Sequence, residues 1–569
     1  GIIFISYFGL ETDKFDSLIK SKANEVNKHV KLGFQKTKIH LNPRELNLVV
    51  KLQNPKILVK NNEIILFKLD LFLPLKSFFT SDFLLKRSEV SFVRNDIKDL
   101  TKITNIFFPK IINQKIEKIF SKGQIEGEFI IPFDSDGNIG NDYGFSGKVL
   151  NASIDVTKEF QIKNLTTEIN HSKDNDANLF NIKIQEGSLL EFDLTDSVFT
   201  LKRENKEVDI TSLLKTSGEF DFSKIKKISS LFNININNID DFKGKTDLKT
   251  NIDLKLNSKY RIKKLYYSID GEFPHAEIYF KEKKILKKYL PDYNNTITLK
   301  DSKIKFTKQN SNNKIELNGL MKIKNEFDSF DLKQIYNYNK NFFDIVGRFD
   351  LTNSRVNVSK LNYNKDSGKK SEINFNVNFI LNNYYNIKKL LYISNKTKID
   401  ISELQLNKNF ETDDFQKLEI KTFIKEDRNN DFKAEKTNKV IISGEIFDAE
   451  PLLKSLFKKD ERKIFSKKFS KEVQINFDKT ITGTNDEVSD FGMIATIKEG
   501  SFDKLSLKGN FSKDEIVEMS IYKIDNNKRT LQVISDRARP FIKNFDFIKG
   551  FEGGKLEYES VISKQISNS

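Results

Sequence analysis

The chain has 569 residues, with 50 phenylalanines, no tryptophan, no cysteine and a formal net charge of +16. Without cysteine it can form neither a disulfide nor a thiolate metal site. Its cysteine content therefore does not indicate whether the protein works in an oxidising or a reducing compartment. Its lysines are scattered among 80 acidic residues, which is unlike the concentrated basic face of a nucleic-acid-binding protein. We therefore expect no nucleic-acid partner, and such a surface is better suited to anionic lipid headgroups.

The first segment, Gly1 to Leu10, is an apolar run without a starting methionine. A membrane-spanning helix needs about 20 apolar residues, so we interpret the run as the remnant of an N-terminal membrane anchor. A buried first strand is the alternative, because short apolar runs are also typical of protein cores. No later segment approaches spanning length, so the rest of the chain is predicted to be soluble and on one side of a membrane. The predicted anchor residues are Ile2, Ile3, Phe4, Ile5 and Phe8.

The next segments change from a helical to a strand period. Apolar residues at three- and four-residue spacings predict an amphipathic helix over Lys14 to Val30. Apolar residues at every second position then predict strands over Leu46 to Leu52 and Ile65 to Leu73. Thr101 to Phe120 is a second helical candidate, which Pro109 would end or kink.

From Gly123 onward, alternation of apolar and polar residues dominates the sequence. In Ile373 to Phe379, every second residue is apolar and every intervening one is asparagine. Leu248 to Leu256 and Ile315 to Ile323 follow a similar pattern. Successive strand side chains point to opposite faces, so each run predicts a strand with one apolar and one polar face. The runs recur about every 10 to 15 residues between turn-forming residues, as in a meander or a sandwich.

The last part of the chain carries the most specific pattern. The polar stretch Glu426 to Asn438 is predicted to be a loop and a domain boundary. A strand from Val440 follows, and Pro451 is suited to the first turn of a helix. Further on, a strand is predicted to run into a Ser-Asp-x-Ala elbow and an apolar, helix-like run to Phe547-Ile548, and a Gly-Gly turn then starts the next strand. The motif residues are Ser535, Asp536, Ala538, Gly553 and Gly554.

This segment resembles the C-terminal region of the AsmA-like envelope proteins, in the branch that includes YhdP. The resemblance is specific over residues 440–569 and diffuse elsewhere, where only the helix-then-strand pattern agrees. It implies an anchor remnant at 1–10, an AsmA-like N-terminal helix with strands at 11–122, a repetitive β-groove at 123–439 and the AsmA-like C-terminal region at 440–569. The sequence departs from the family pattern at Arg539 and Pro540, where members usually have a small residue and a leucine-rich turn.

Members of this family are anchored in the bacterial inner membrane and project into the periplasm, and several are implicated in carrying phospholipid toward the outer membrane. The resemblance implies a mainly β chain, with a long twisted antiparallel sheet curled into an elongated apolar groove and a few short amphipathic helices. It implies phospholipid acyl chains and the inner membrane as partners, with outer-membrane or periplasmic proteins as further ones. A closed sandwich is the alternative, because alternation indicates a buried face without showing what buries it. The predicted groove lining is Ile252, Leu254, Leu256, Ile315, Leu317, Ile373, Phe375, Val377 and Phe379.

No other pattern in the sequence predicts a chemical site. Each of His29, His40, His171 and His275 is interpreted as a solvated or satisfied side chain, because none has a carboxylate or histidine at ligand spacing. Asp134 to Asn138 is interpreted as a hairpin turn, because an EF-hand loop needs glycine and glutamate at positions where this chain lacks them. We therefore expect neither enzymatic activity nor a cofactor. Two alternatives stay open: an assembly factor that pairs through exposed sheet edges, and a glycan-directed enzyme with dispersed carboxylates.

Overall fold

In the computed structural model the chain is mainly β, with 67% of residues in strands and 9% in helices. The structure describes residues 2–26, 30–59, 62–79, 84–99, 120–137, 140, 142–156, 159–174, 177–204, 207–232, 234–259, 261–282, 284–309, 311–455, 465–525, 528–543 and 553–563. Within these ranges, 33 strands belong to one sheet and the two others form a separate hairpin. The mainly β, antiparallel-sheet fold predicted from the sequence is confirmed.

The chain divides into two compact units. Unit 1 comprises Gly1–Ile228 and Lys245–Gly271, and unit 2 comprises Ser229–Gly244 and Glu272–Ser569. The strands before residue 229 are β1 (Leu10–Glu11), β2 (Val30–Gly33), β3 (Lys36–Asn42), β4 (Asn47–Gln53), β5 (Lys56–Val59), β6 (Asn62–Pro74), β7 (Arg87–Asp96), β8 (Phe120–Pro132), β9 (Gly144–Asp155), β10 (Gln161–Asp174), β11 (Ala177–Leu189), β12 (Phe192–Asp193), β13 (Val198–Glu204) and β14 (Glu207–Phe220).

Two long strands, β15 (Ile239–Leu256) and β16 (Ile262–Phe280), contribute residues to both units. The strands that follow lie in unit 2. They are β17 (Thr296–Gln309), β18 (Asn312–Lys322), β19 (Phe327–Asn337), β20 (Phe342–Asp350), β21 (Val356–Val358), β22 (Tyr363–Lys365), β23 (Glu372–Ile380), β24 (Tyr384–Ser394), β25 (Thr397–Asn407), β26 (Thr412–Asp414), β27 (Lys417–Ile424), β28 (Asp427–Lys436), β29 (Val440–Asp448), β30 (Lys471–Ile481), β31 (Glu487–Lys498), β32 (Ser501–Ser512), β33 (Glu515–Lys523), β34 (Lys528–Ser535) and β35 (Leu556–Ser563).

The helices are short and lie between strands. They are α1 (Ile2–Tyr7), α2 (Asp16–Val26), α3 (Phe222–Phe232), α4 (Lys284–Tyr289), α5 (Glu450–Ser455) and α6 (Arg539–Ile542), with 3-10 turns at Leu75–Phe78 and Ser359–Leu361. In the described part of the chain, no helix combines the length and apolarity needed to cross a membrane. The predicted helix over Lys14 to Val30 is confirmed as α2, which ends four residues earlier than predicted.

Strands that follow each other in sequence pair with each other along most of unit 2. The pairing is antiparallel from β17 through β20, continues through β23, β24 and β25, and resumes from β27 to β29 and from β30 to β35. β29 and β30 instead run parallel. The hairpin β21–β22 stands apart from the large sheet. Unit 2 is thus a meander with one parallel step.

The best-buried part of unit 1 lies where α2 packs on the first strands. Phe15, just before α2, and Ile19 of α2 join Ile39, Val50 and Leu73 from β3, β4 and β6 in one apolar cluster. The alternating side chains of these strands thus meet an amphipathic helix, which removes them from water. A second cluster in unit 1 is built mainly on β9, β10 and β11, around Val149, Leu165 and Ile184.

Several local predictions can be compared with the structure. The loop predicted over Glu426 to Asn438 is wrong, because Asp427–Lys436 forms β28 and pairs with both neighbours. Several of its polar residues are buried or half-buried within the sheet, which the composition alone did not distinguish from a loop. The helical candidate from Thr101 lies outside the described residues up to residue 119, and Phe120 begins β8. The apolar run to Phe547-Ile548 also lies outside them.

Candidate functional site

One face of the sheet in unit 2 carries a continuous row of apolar side chains. Residues directly opposite each other on paired strands lie on the same face, about 4.8 Å apart. The pairing registers connect one residue on each strand from β17 to β35 other than β21, β22 and β26, and each is apolar or aromatic except one glycine. We call this set the central row: Ile304, Leu317, Leu332, Gly347, Phe375, Leu390, Ile401, Leu418, Ala434, Ile442, Ile475, Met493, Leu507, Met519, Val533 and Tyr558.

Part of this face is only half-buried. From β18 to β25, the central row apart from Gly347 and the adjacent row formed by Ile345, Val377, Ile387 and Leu404 keep some exposure to water. A fully packed sandwich core would bury such side chains completely. We call this region the open segment, and define it as Leu317, Leu332, Ile345, Phe375, Val377, Ile387, Leu390, Ile401 and Leu404.

Aromatic side chains flank the open segment at one end of its strands. Tyr336, Phe343, Phe379, Tyr385 and Phe410 form a series of neighbouring rings, whose centroids are 4.4, 4.9, 5.6 and 4.6 Å apart in that order. The first four belong to successive paired strands, and Phe410 lies in the turn after β25. Contacts between aromatic rings of this kind stabilise the rings in addition to the effect of burying them.

A glycine in the central row shapes the open segment. A Cβ atom at position 347 would lie 2.5 Å from Cζ of Phe375, too close for any side chain. Gly347 therefore lets the Phe375 ring lie against the backbone of β20, where it stacks on Phe349 at 5.8 Å. The ring consequently covers the sheet and presents a flat apolar surface.

The opposite face of the same strands carries charged side chains that are partly exposed to solvent. Lys398 Nζ lies 2.9 Å from Glu419 Oε2, and Lys417 Nζ lies 2.7 Å from Glu419 Oε1. Hydrogen bonds from Lys417 and Lys398 lower the pKa of Glu419 to about 2. Lys389 extends the network by pairing with Asp400. These strands therefore carry charged pairs on one face of the sheet and apolar side chains on the other.

A small hairpin covers one end of the open face. In β21–β22, the Tyr363 hydroxyl lies 3.2 Å from the hydroxyl of Tyr392 on β24. Arg355, just before β21, pairs with Asp292 at 2.7 Å, and this pairing lowers the pKa of the Asp292 carboxyl to about 2. The buried Lys365 ammonium donates to the carbonyl oxygens of Leu351, Thr352 and Lys369 and to the Ser371 hydroxyl. The hairpin is therefore fixed by polar contacts outside the apolar face.

The structure brings together the predicted lining residues of unit 2. Leu317 and Phe375 belong to the central row, Val377 to the row beside it, and Ile315, Ile373 and Phe379 lie on the same strand faces. All six are half-buried. The other predicted lining residues, Ile252, Leu254 and Leu256, lie on β15 in unit 1 and are also half-buried.

Sequence reasoning missed several members of the open segment. The missed residues are Leu332, Ile345, Ile387, Leu390, Ile401 and Leu404. The alternation signal is present in these strands but is interrupted. Glu403 has a positive φ of 50°. Leu404 therefore lies on the same face as Ile401, although simple alternation would place the two residues on opposite faces. The pairing of β23 with β24 is likewise shifted between Asn376 and Val377.

The predicted anchor residues lie at the start of unit 1. Ile2, Ile3, Phe4 and Ile5 belong to α1, and Phe8 follows it. The rings of Phe4 and Phe8 stack at 5.2 Å and are both exposed. The short helix thus presents aromatic side chains to solvent.

The C-terminal motif forms a hydrogen-bonded elbow. The Ser535 hydroxyl donates to the Arg537 carbonyl at 2.7 Å, and the Ile516 N–H donates to the Asp536 carboxylate at 2.8 Å. The buried Ala538 donates its N–H to the carbonyl of Gly554 at 2.8 Å. Gly554 has a φ of +96°, which suits glycine, and Gly553 beside it is exposed. The motif residues therefore fix the path of the chain from β34 to β35.

The histidines do not form a common site. His29 lies outside the described residues, His275 is exposed, and burial lowers the pKa of His40. His171 is buried in unit 1 with its ring 4.6 Å from those of Tyr143 and Phe180. His171 is partly satisfied, because its Nε2 lies 3.1 Å from Asn178 Oδ1, while its buried Nδ1 has no hydrogen-bond partner in the described part of the protein. Among those same residues, no group of three or more histidine and acidic side chains could hold a metal ion.

Comparison with known proteins adds no relative. No family model matches the chain, no curated protein matches it, and no solved structure matches it. The resemblance to the AsmA-like envelope proteins therefore stays a prediction.

Proposed function

We propose that the chain is a non-enzymatic protein whose apolar sheet face carries phospholipid between the inner and outer membranes of a bacterial envelope. The observation that supports this function is the open segment, where leucine, isoleucine, valine and phenylalanine side chains of six paired strands stay half-buried. Each CH2 group of an acyl chain that leaves water for such a surface gains about 0.8 kcal/mol. A lipid held there would expose its headgroup while its chains remain out of water.

The proposed location is the inner membrane, with most of the chain in the periplasm. Exposed Phe4 and Phe8 beside α1 support attachment of the N-terminal segment to a membrane. The net charge of +16 would also attract anionic headgroups. The proposed partners are phospholipid acyl chains, the inner membrane, and outer-membrane or periplasmic proteins at the receiving end. No cofactor is part of the proposal.

The first test measures lipid on the purified protein. The chain is prepared without detergent, and extracted lipids are identified by mass spectrometry. Binding of a fluorescent phospholipid to the emptied protein is then measured. We expect co-purified phospholipid and saturable binding. A lipid-free preparation that also fails to bind the labelled phospholipid would contradict the proposed function.

A matched pair of substitutions localises the binding. Val377→Asp places a carboxylate in the open segment, whereas Val346→Asp makes the same change on the solvated face, where Val346 is 45% exposed. We expect Val377→Asp to weaken phospholipid binding at least about tenfold, since a charge cannot contact hydrocarbon without losing its hydration. Val346→Asp should bind like the unmodified chain. Equal losses in both variants would place the lipid elsewhere.

An assembly function through a sheet edge is the second candidate. Within the described residues β35 pairs only with β34, and its Tyr558 and Val561 side chains are exposed. An edge strand of this kind can add a strand from another protein. Cysteine crosslinks from Val561 to a nascent outer-membrane barrel, together with absence of bound lipid, would favour this function over lipid transfer.

A further inference from the structure

The apolar face of unit 2 changes character at its parallel step. β29 and β30 begin at the same end of the sheet, and Phe465–Ser470 leads into β30 at that end. The Ser466 N–H donates to the Thr412 carbonyl at 2.9 Å, and the Gly500 N–H donates to the Phe469 carbonyl at 2.9 Å. Thr412 belongs to β26, and Gly500 lies between β31 and β32. The segment Phe465–Ser470 is therefore held by hydrogen bonds to two different parts of the sheet.

This segment places rings on the apolar face. Phe469 is 1% exposed, and its ring lies 4.3 Å from Phe465 and 6.4 Å from Phe415, with both pairs nearly parallel. We call Phe415, Phe465 and Phe469 the aromatic stop. All three belong to the apolar cluster of β28 to β32, so they lie on the same face as the central row.

Four of the buried residues that share the cluster with the aromatic stop are small. They are Ala434, Val440, Val473 and Ala495, and the cluster also contains the larger Met493, Ile497 and Leu505. In the open segment, by contrast, every residue is leucine, isoleucine, valine or phenylalanine, and none is fully buried. Small side chains under a buried aromatic ring leave the volume that the ring fills, as close packing requires. The small residues of the sheet therefore leave the space that the Phe469 ring occupies.

Other rings occupy the same strands farther along. Phe477 lies 5.8 Å from Phe432, 4.9 Å from Phe447 and 6.1 Å from Phe491. Between these rings and the aromatic stop, the central-row residues Ala434 and Met493 are buried, and Ile442 and Ile475 are half-buried. On β33 and β34, Ile521 and its register partner Leu531 are also half-buried, and Ile521 packs against the same cluster.

We propose that the aromatic stop ends the lipid path at Leu404, so that the open segment is a separate acyl-chain site rather than part of an uninterrupted track. Leu404 is half-buried and packs against the cluster that contains the stop. Acyl chains of a phospholipid then bind from β18 to β25 and reach β33 and β34 only when the rings move. This inference depends on the proposed function and specifies where the lipid stays.

Photocrosslinking on the full chain tests the inference. p-Benzoylphenylalanine is placed at Val377 in the open segment or at Leu531 beyond the stop, and each protein is loaded with fluorescent phosphatidylethanolamine. We expect crosslinking at 377 to exceed that at 531 at least about tenfold, a difference that corresponds to about 1.4 kcal/mol in occupancy. Phe465→Ala, which removes a half-buried ring, should raise crosslinking at 531 several-fold.

Two further variants separate the outcomes. Phe469→Leu replaces the fully buried ring with a smaller apolar side chain, and Phe67→Ala removes an exposed ring in unit 1 as the control. Thermal unfolding confirms that each variant is folded. Equal crosslinking at 377 and 531 in the unmodified chain, or an unchanged ratio in both stop variants, overturns the aromatic stop and leaves lipid binding intact. Absence of crosslinking at 377 overturns the proposed function, and this inference with it.

Discussion

The same alternating pattern produces a closed core in one region and a half-exposed face in another. In β3, β4 and β6 of unit 1, Ile39, Val50 and Leu73 are at most 1% exposed. In β20, β23 and β24 of unit 2, Ile345, Val377 and Ile387 are only half-buried. All six side chains lie on strands with apolar faces, so strand patterning does not explain the difference.

The difference lies in what packs on the strands. Ile19 of α2 and Phe15 just before it complete the cluster in unit 1, and the Thr37 hydroxyl donates to Asp16 at the start of the helix. Among the residues that the structure describes, the hairpin β21–β22 meets the open face at one end, where Tyr363 contacts Tyr392. An apolar strand face therefore becomes a core where the chain provides a cover, and an accessible surface where it does not.

Aspartate at matched positions should give the largest contrast. Val50→Asp buries an unpaired carboxylate in a closed core, and we expect it to lower the free energy of unfolding by more than about 4 kcal/mol. Val377→Asp can keep its carboxylate hydrated, so its loss should be about 1 kcal/mol. Urea unfolding followed by circular dichroism measures both. If Val377→Asp is as destabilising as Val50→Asp, the open segment is a closed core in solution.

Removal of matched phenylalanines should give a smaller contrast. Phe15→Ala deletes a buried ring between α2 and the sheet, and we expect a loss of about 3 to 5 kcal/mol. Phe375→Ala removes a half-buried ring that stacks on Phe349, and we expect a loss of about 1 kcal/mol. The same urea experiment measures both variants, and comparable losses would contradict the assignment of α2 as the cover.

Much of this architecture could be predicted from the sequence, but the cover could not. The repeat Ile373 to Phe379 identifies β23 and its apolar face directly, and the spacing of Phe15 and Ile19 identifies α2. Nothing local to β4 or β23 indicates which of them meets a helix, because covering contacts join residues far apart in sequence.

The missed site residues have a second physical cause. A backbone irregularity at Glu403 changes the phase of β25, and the small residues Ala434 and Ala495 gave no sign that they seat Phe469. The polar composition of Glu426 to Asn438 predicts a loop, yet Asn429 and Asn430 of β28 are buried and hydrogen-bonded. Register and packing, rather than composition, decide these positions.

Acid should loosen the partial cover of the open segment, with the smallest effect of the three. The Arg355 guanidinium beside Asp292 lowers the pKa of that carboxyl from its usual 3.8 to about 2. A carboxyl whose pKa is lower in the folded state stabilises the fold above its unfolded pKa, and this contribution is lost as the pH falls from about 4 to about 2. The contact between Arg355 and Asp292 therefore holds the hairpin in place at neutral pH and not in strong acid.

The measurement compares the unmodified chain with Asp292→Asn in urea at pH 6 and pH 2. We expect the unmodified chain to be the more stable at pH 6, and the difference to shrink to a small remainder at pH 2, because the carboxyl is then about half protonated in the folded chain and almost fully protonated in the unfolded chain. Asp366→Asn is the control beside the same hairpin, since Asp366 forms an exposed pair with Lys369. A difference between the unmodified chain and Asp292→Asn that is undiminished at pH 2 would show that the amide disturbs packing, and that the ion pair is not what fixes the cover.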